Sequence, residues 1–83
     1  MIPVEVELAK LKEEIKRLGS QNDQGHWHVS FGVLVRDDRV ADIFEGVVGT
    51  LKAAKKRKIV AYDAELLLQG VHDSVDIVLL EDA

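Results

Sequence analysis

The chain has 83 residues, a formal net charge of −4 and no cysteine. This length fits one domain with a modest core, and the lack of cysteine excludes disulfides and thiolate metal sites and favours a reducing compartment. An apolar fraction of 47% is too high for a disordered chain, and 5% aromatic residues indicate an aliphatic core. No apolar run approaches the roughly 20 residues that span a bilayer, and the N-terminal residues lack the pattern of a signal peptide.

The first predicted element is an amphipathic helix over residues 3–18. Its apolar residues recur at steps of three and four, at Val4, Leu8, Leu11, Ile15 and Leu18. This is the period of a helix with one apolar face. Gly19 is expected to end the helix in a left-handed conformation, and the polar residues 20–25 are expected to form a turn.

A short strand is predicted next, over residues 26–31, because apolar and polar residues alternate there. Residues 32–35 are apolar and fit either a continuation of the strand or a short buried helix. A polar break follows, in which Asp37 or Asp38 is expected to accept hydrogen bonds from the free N–H groups of the next helix.

The main prediction for the middle of the chain is one long helix from about Val40 to Lys56. Its apolar residues keep helical spacing, at Ile43, Phe44, Val47, Val48, Leu51 and Ala54. Gly46 and Gly49 fall inside it, where each glycine costs about 1 kcal/mol relative to alanine. We interpret them as positions where this helix packs closely against the first.

The C-terminal part is predicted to be a β-hairpin. Strand-like segments cover residues 59–62 and 65–69, a loop covers 70–74, and a last strand covers 75–80 before a short acidic tail. The predicted fold class is therefore α+β: a winged-helix-like domain over residues 1–83, with three helices, a short strand and a C-terminal β-hairpin.

Two sets of residues are candidates for a chemical site. His26 and His28 share one face of a strand but lack a third metal ligand, so solvated side chains are the simpler interpretation. His72 and Asp73 fit a general acid–base pair, but an aspartate that hydrogen-bonds its own turn is simpler. No metal, cofactor or catalytic motif is present, so the expected protein is not an enzyme and has no cofactor.

The most informative surface feature is a run of cations at the end of the long helix. It consists of Lys52, Lys55, Lys56, Arg57 and Lys58. Either these side chains form a solvated helix end that complements the helix dipole, or they bind an acidic partner.

The order of elements also suggests a nucleic-acid-binding winged helix, which is the alternative function. Such a domain brings the first part of its long helix to the DNA. Here that part carries two cations and four anions, at Arg36, Asp37, Asp38, Arg39, Asp42 and Glu45. These carboxylates would repel phosphates, so neither nucleic acid nor membrane is expected as a partner.

Long blocks of the chain resemble the Costars family. They are residues 15–20 (IKRLGS), 31–38 (FGVLVRDD), 49–60 (GTLKAAKKRKIV) and 65–73 (ELLLQGVHD). The chain is similar to the small stand-alone members, and the same domain forms the C-terminal actin-binding part of the striated-muscle actin-binding Rho-activating protein. The resemblance implies a winged-helix-like fold and a role in the actin cytoskeleton, through actin filaments or through an actin regulator such as cofilin.

Together these observations predict a monomeric, cytoplasmic, non-enzymatic protein that acts on actin. The predicted partner-binding residues are the five cations of the long helix, and the predicted partner is actin or an actin-associated protein such as cofilin.

Overall fold

A computed structural model of the protein describes residues 3–81 and has an α+β architecture, as predicted. The helices are α1 (Val4–Leu18), α2 (Phe31–Arg36), α3 (Asp38–Ile43) and α4 (Val47–Lys56). The strands are β1 (Ser20–Gln21), β2 (Trp27–Ser30), β3 (Val60–Ala61) and β4 (Asp76–Leu79). The predicted acidic tail lies outside the described residues from position 82 onward.

The amphipathic pattern of the first segment produces α1, and the predicted bounds are confirmed to within one residue. Leu8, Leu11 and Ile15 form its buried stripe. The left-handed stop predicted at Gly19 is wrong, because this residue is extended, with φ −105° and ψ −163°. A glycine fits here for a different reason: a Cβ would lie 1.9 Å from the carbonyl oxygen of His28 on β2.

The four strands form one antiparallel sheet in the order β1-β2-β4-β3. The predicted strands at 26–31 and 75–80 are confirmed as β2 and β4. β1 was not predicted, because its two residues lie in the expected polar turn and gain strand structure only by pairing with β2. The side chain of Asn22 closes this turn by accepting hydrogen bonds from the backbone N–H groups of Gln24 and His26, both at 3.0 Å.

The predicted strand at residues 65–69 is wrong. These residues belong to the long loop, residues 62–75, that joins β3 to β4, and we call this segment the hairpin loop. Its alternation of exposed and buried leucines imitates a strand pattern, with Leu67 buried between Leu66 and Leu68. No described strand pairs with it.

The single long helix predicted for residues 40–56 is also wrong, because the structure divides it into α3 and α4. Phe44 ends α3 with an extended backbone, at φ −108° and ψ 134°, and its side chain is buried. Gly46, also extended, precedes α4. The described part of the chain therefore has four helices instead of three.

Of the two aspartates predicted to cap the helix after the polar break, Asp37 is the one that does so. Asp37 caps α3, and its Oδ1 accepts a hydrogen bond from the Val40 N–H at 3.1 Å. Residues 32–35, which fitted either a strand or a short buried helix, are helical and lie within α2. The first residue of α2 contacts the hairpin loop, because the Phe31 N–H donates to the Val75 carbonyl at 2.8 Å.

The core lies between the helices and the sheet. α1 packs on β2 and on α4, and α4 also contacts β3. The largest fully buried side chains include Leu11, Ile15, Phe31, Leu34, Leu51 and Ile77. Within residues 3–81, every helix is too short or too polar to cross a bilayer.

The predicted order of elements is present: helix, strand, helices, then an antiparallel strand pair at the C-terminus. The comparison of this order with a winged helix remains a prediction.

Candidate partner-binding surface

The five predicted cations lie at the C-terminal end of α4, and we call Lys52, Lys55, Lys56, Arg57 and Lys58 the basic helix end. All five are exposed. The inner face of the helix is buried through residues such as Leu51 and Ala54. Lys52 and Lys56, four residues apart, therefore project from the opposite face one above the other.

The end of α4 is a Schellman motif with a lysine where glycine is usual. The Lys58 N–H donates to the Lys55 carbonyl at 3.0 Å, and the Ile59 N–H donates to the Ala54 carbonyl at 2.9 Å. Lys58 takes the left-handed conformation that this motif requires, with φ 61°. The turn directs the chain from α4 into β3 and leaves Lys58 exposed beside the other cations.

Lys55 connects the basic helix end to the hairpin loop. Its Nζ donates a hydrogen bond to the Ala64 carbonyl at 3.0 Å and lies 4.4 Å from the centre of the Tyr62 ring. The ring is largely buried, and this burial raises the pKa of the Tyr62 hydroxyl. Lys55 therefore has a structural contact, whereas Lys52 and Lys56 project freely.

No cation of the basic helix end forms an ion pair with any residue between 3 and 81. The ion pairs in that range are Lys12 with Glu81, Arg17 with Glu14 and Asp37, His28 with Asp76, Arg36 with Asp73, and Arg39 with Glu14. The protein as a whole is acidic, with 15 Asp and Glu against 11 Lys and Arg. The basic helix end is thus a local concentration of positive charge that no residue between 3 and 81 neutralises through an ion pair.

A second charged region joins α1 to α2 and α3, and we call Glu14, Arg17, Asp37 and Arg39 the charged corner. The Glu14 side chain is 2% exposed and lies 2.7 Å from Arg17 and 3.5 Å from Arg39. Arg17 also contacts Asp37 at 2.5 Å. The Arg17 guanidinium, together with the Val40 N–H, lowers the pKa of the Asp37 carboxyl.

The hairpin loop is closed by its own turn contacts, as the simpler interpretation of Asp73 predicts. Asp73 Oδ1 accepts a hydrogen bond from the Gly70 N–H at 2.8 Å, and its other oxygen lies 2.5 Å from Arg36. The Gly70 N–H, and then Arg36, lower the pKa of Asp73. His72 Nδ1 accepts from the Leu68 N–H at 3.0 Å. Both side chains that were weighed as an acid–base pair therefore bind the loop backbone.

Of the two histidines predicted to share a strand face, His28 lies on β2, whereas His26 precedes that strand. His28 Nδ1 lies 2.8 Å from the Asp76 carboxylate across the sheet. In the described range, no three His, Asp or Glu side chains are placed to hold a metal ion together.

The acidic residues expected at the start of the long helix lie outside α4. Asp38 and Asp42 belong to α3, and Glu45 lies in the break between the helices. The prediction that one helix begins with these acidic residues and ends with the five cations is therefore wrong. Carboxylates still flank the first turn of α4, because Glu7 of α1 and Glu45 line a shallow groove there.

That groove also corrects the interpretation of the two glycines. A Cβ added to Gly46 or Gly49 would meet no atom within 4 Å apart from its chain neighbours and the backbone of its own helix. The close helix packing predicted at these positions is absent, and the glycines border open space.

The exposed apolar side chains of the hairpin loop are not evident from the sequence. Leu66, Leu68 and Val71 are 57%, 51% and 69% exposed. Leu66 and Leu68 belong to the predicted strand at residues 65–69, and Val71 lies in the predicted loop 70–74. Neither sequence pattern reveals which of these side chains face outward.

Comparison with known proteins gives a consistent result. The family model described as Costars matches residues 3–80. A mouse protein named Costars family protein ABRACL is 67% identical over 79 residues, which are 95% of this chain and 98% of the mouse chain. A Costars family protein of Oryza sativa subsp. indica is 65% identical over 77 residues, covering 93% of this chain and 88% of the plant protein. The solution structure of human HSPC280 protein superposes with a TM-score of 0.87 at 63% identity and covers 98% of this chain and 95% of that one.

Proposed function

Because the chain belongs to the Costars family, we propose that it is a non-enzymatic regulator of the actin cytoskeleton that binds actin filaments, or an actin regulator such as cofilin, through its basic helix end. The name ABRACL, carried by the animal relatives, stands for actin-binding Rho-activating C-terminal-like and points to actin.

The observation that supports this binding surface is the unpaired charge of the basic helix end. Complementary charges steer a partner into place and set the register of the complex. Exposed cations without an ion-pair partner among the described residues attract an acidic protein surface, and salt screens this attraction over a Debye length of about 8 Å at physiological ionic strength. Binding through this surface is therefore expected to weaken as salt is added.

The main test is co-sedimentation with purified actin filaments, with and without cofilin, across a series of salt concentrations. Reversing both freely projecting charges, Lys52→Glu with Lys56→Glu, should weaken binding about tenfold and flatten its salt dependence. Lys55 is left intact because it contacts the hairpin loop.

A single reversal elsewhere provides the matched control. Lys10 lies on α1 and forms no ion pair within the described residues. Lys10→Glu should bind like the wild type, whereas Lys56→Glu should bind more weakly. Equal binding by wild type and the double variant, to both filaments and cofilin, would remove the basic helix end from the proposal.

A nucleic-acid partner is tested by a gel shift with random duplex DNA at low salt, where binding does not depend on sequence. Glu7 and Glu45 beside the first turn of α4 would repel a phosphate backbone, so we expect no shift. A salt-sensitive shift would favour the alternative function.

We also propose that the protein is one domain that acts in the cytoplasm as a monomer. Its lack of cysteine suits a reducing compartment. Light scattering at increasing concentration and fractionation of cells test these two points.

A further inference from the structure

The hairpin loop places three apolar side chains in solvent. Leu66, Leu68 and Val71 are each more than half exposed, while Leu67 between them is 5% exposed. Because the Leu67 side chain is buried in the core, Leu66 and Leu68 on either side of it point outward. A cluster of exposed apolar residues on a small protein commonly marks a surface that binds something.

This loop is fixed from within. The N–H groups of Val71 and His72 both donate to the Leu68 carbonyl, at 3.0 and 2.9 Å. The Leu68 N–H donates to His72 Nδ1, and the Gly70 N–H donates to Asp73 Oδ1. Every turn in this part of the loop is therefore closed by a hydrogen bond.

The loop is also fixed from outside, at the end nearest α2. The Gly32 N–H donates to the Asp73 carbonyl at 2.9 Å, and Arg36 pairs with the Asp73 side chain. A segment held in place before binding loses less conformational entropy when a partner arrives. The exposed apolar side chains are thus presented on a rigid support.

The other end of the loop rests against the basic helix end. Lys55 of α4 stacks over the Tyr62 ring and donates to the carbonyl of Ala64, which lies two residues before Leu66. The basic helix end therefore contacts the part of the chain that leads directly into the exposed apolar residues of the loop.

We propose that the basic helix end and the apolar residues Leu66, Leu68 and Val71 form one composite docking surface, and that its occupant is an acidic protein segment that carries apolar side chains. This inference deepens the proposed function and rests on it for the identity of the partner. The cations recognise the acidic residues of the segment, and the loop buries its apolar residues.

The charges around the loop favour a protein segment over an anionic membrane. Asp63 and Glu65 are exposed in the same segment as Leu66. A uniformly anionic lipid surface would repel these carboxylates whenever Leu66 approached it. A peptide presents separate charges and can place its acidic groups on the cations while avoiding the carboxylates.

The surface is tested with two designed peptides of equal negative charge, one with glutamate and leucine at helical spacing and one with each leucine replaced by serine. Fluorescence anisotropy measures the affinity of the full chain for each. The leucine peptide should bind about tenfold more tightly, and this preference should disappear in Leu66→Ser with Leu68→Ser. Val71→Ser should reduce the preference for the leucine peptide in part. This single variant keeps the test informative if the double variant does not fold.

Val33→Ser is the matched control, because Val33 is 48% exposed but lies on α2. It should keep the wild-type preference. Equal affinity of the wild type for both peptides would overturn the composite surface, since charge alone would then explain binding. Tighter binding to phosphatidylserine vesicles than to the leucine peptide would overturn the choice of occupant.

Co-sedimentation with actin filaments and cofilin separates this inference from the proposed function. If the wild type binds either protein and Leu66→Ser with Leu68→Ser does not reduce that binding, the composite surface is wrong while the actin function stands. If the peptide preference is found but neither actin protein binds, the composite surface stands and the actin function fails.

Discussion

The charged corner and the basic helix end contain similar side chains but differ in what those side chains contact. In the charged corner, Glu14 is buried and lies between two arginines. At the basic helix end, Lys52 and Lys56 lack an ionic partner among residues 3–81, and Lys55 contacts a carbonyl and a ring. The first region ties helices together, whereas the second leaves its charge available to another molecule. Substitutions should therefore affect stability at the corner and binding at the helix end.

The largest effect is expected on the inner face of α4, directly beside the basic helix end. Leu51 is fully buried, so Leu51→Ala should lower the free energy of unfolding by about 3 kcal/mol. Lys52→Ala, one residue later, should change it by less than about 0.5 kcal/mol. Urea denaturation measures both. A large loss in Lys52→Ala would show that the basic helix end stabilises the fold.

The next largest loss of unfolding free energy is expected in the charged corner, and it should exceed the loss at an exposed position of the same helix. Glu14→Ala removes a buried carboxylate with two arginine partners and should cost about 2 kcal/mol of unfolding free energy. Glu13→Ala is the control, because Glu13 is exposed on the same helix. Thermal and urea unfolding compare the two. Equal stabilities would mean that the corner charges contribute no more than surface pairs.

A smaller pair of effects of opposite sign is expected at two glycines. A Cβ on Gly32 would lie 2.8 Å from the Asp73 Cβ and 2.9 Å from the Arg36 guanidinium, so Gly32→Ala should cost about 1 to 2 kcal/mol. Gly49 borders open space in α4, so Gly49→Ala should stabilise by about 0.5 kcal/mol or more. Denaturant midpoints report both signs. Destabilisation by Gly49→Ala would contradict the open groove.

The smallest effect is a dependence of stability on acid. The pKa values of Asp37 and Asp73 are lowered in the folded protein, so the unfolded chain binds protons first as the pH falls. Their contribution is complete above the ordinary aspartate range and is lost as the pH falls through the lowered pKa values. Unfolding free energies measured from neutral pH to pH about 3 should decline. Asp37→Asn with Asp73→Asn should make that decline shallower, and an unchanged slope would exclude these two carboxylates as its source.

The elements that could be predicted are those whose signal is local. The helical period of α1, the alternation in β2 and the capping aspartate before α3 each depend on neighbouring residues. The five cations were likewise visible as a run. Their exposure followed because long charged side chains seldom enter a core without partners.

The features that could not be predicted depend on residues distant in sequence. Phe44 keeps the helical spacing of its neighbours, yet it is buried with an extended backbone, and this breaks the expected helix in two. β1 exists only because β2 pairs with it. Glu14 is not part of the apolar stripe predicted for α1, yet its side chain is buried, with Arg17 of the same helix and Arg39 of α3 as ionic partners.

The apolar part of the candidate surface was missed for a related reason. The three consecutive leucines of the hairpin loop resemble a strand sequence, and only the folded structure shows that Leu66 and Leu68 are exposed while Leu67 is buried. Sequence patterns thus indicated the cations of the candidate surface but not its exposed apolar residues.

Lys58 has a consequence for how this protein could be engineered. Its left-handed backbone suits glycine, and a lysine there costs about 1 kcal/mol. Replacing it with glycine would relieve the backbone while deleting one positive charge from the proposed contact with actin. At this one residue, folding stability and electrostatic attraction to the partner therefore oppose each other. A variant selected only for heat resistance is expected to bind its partner more weakly.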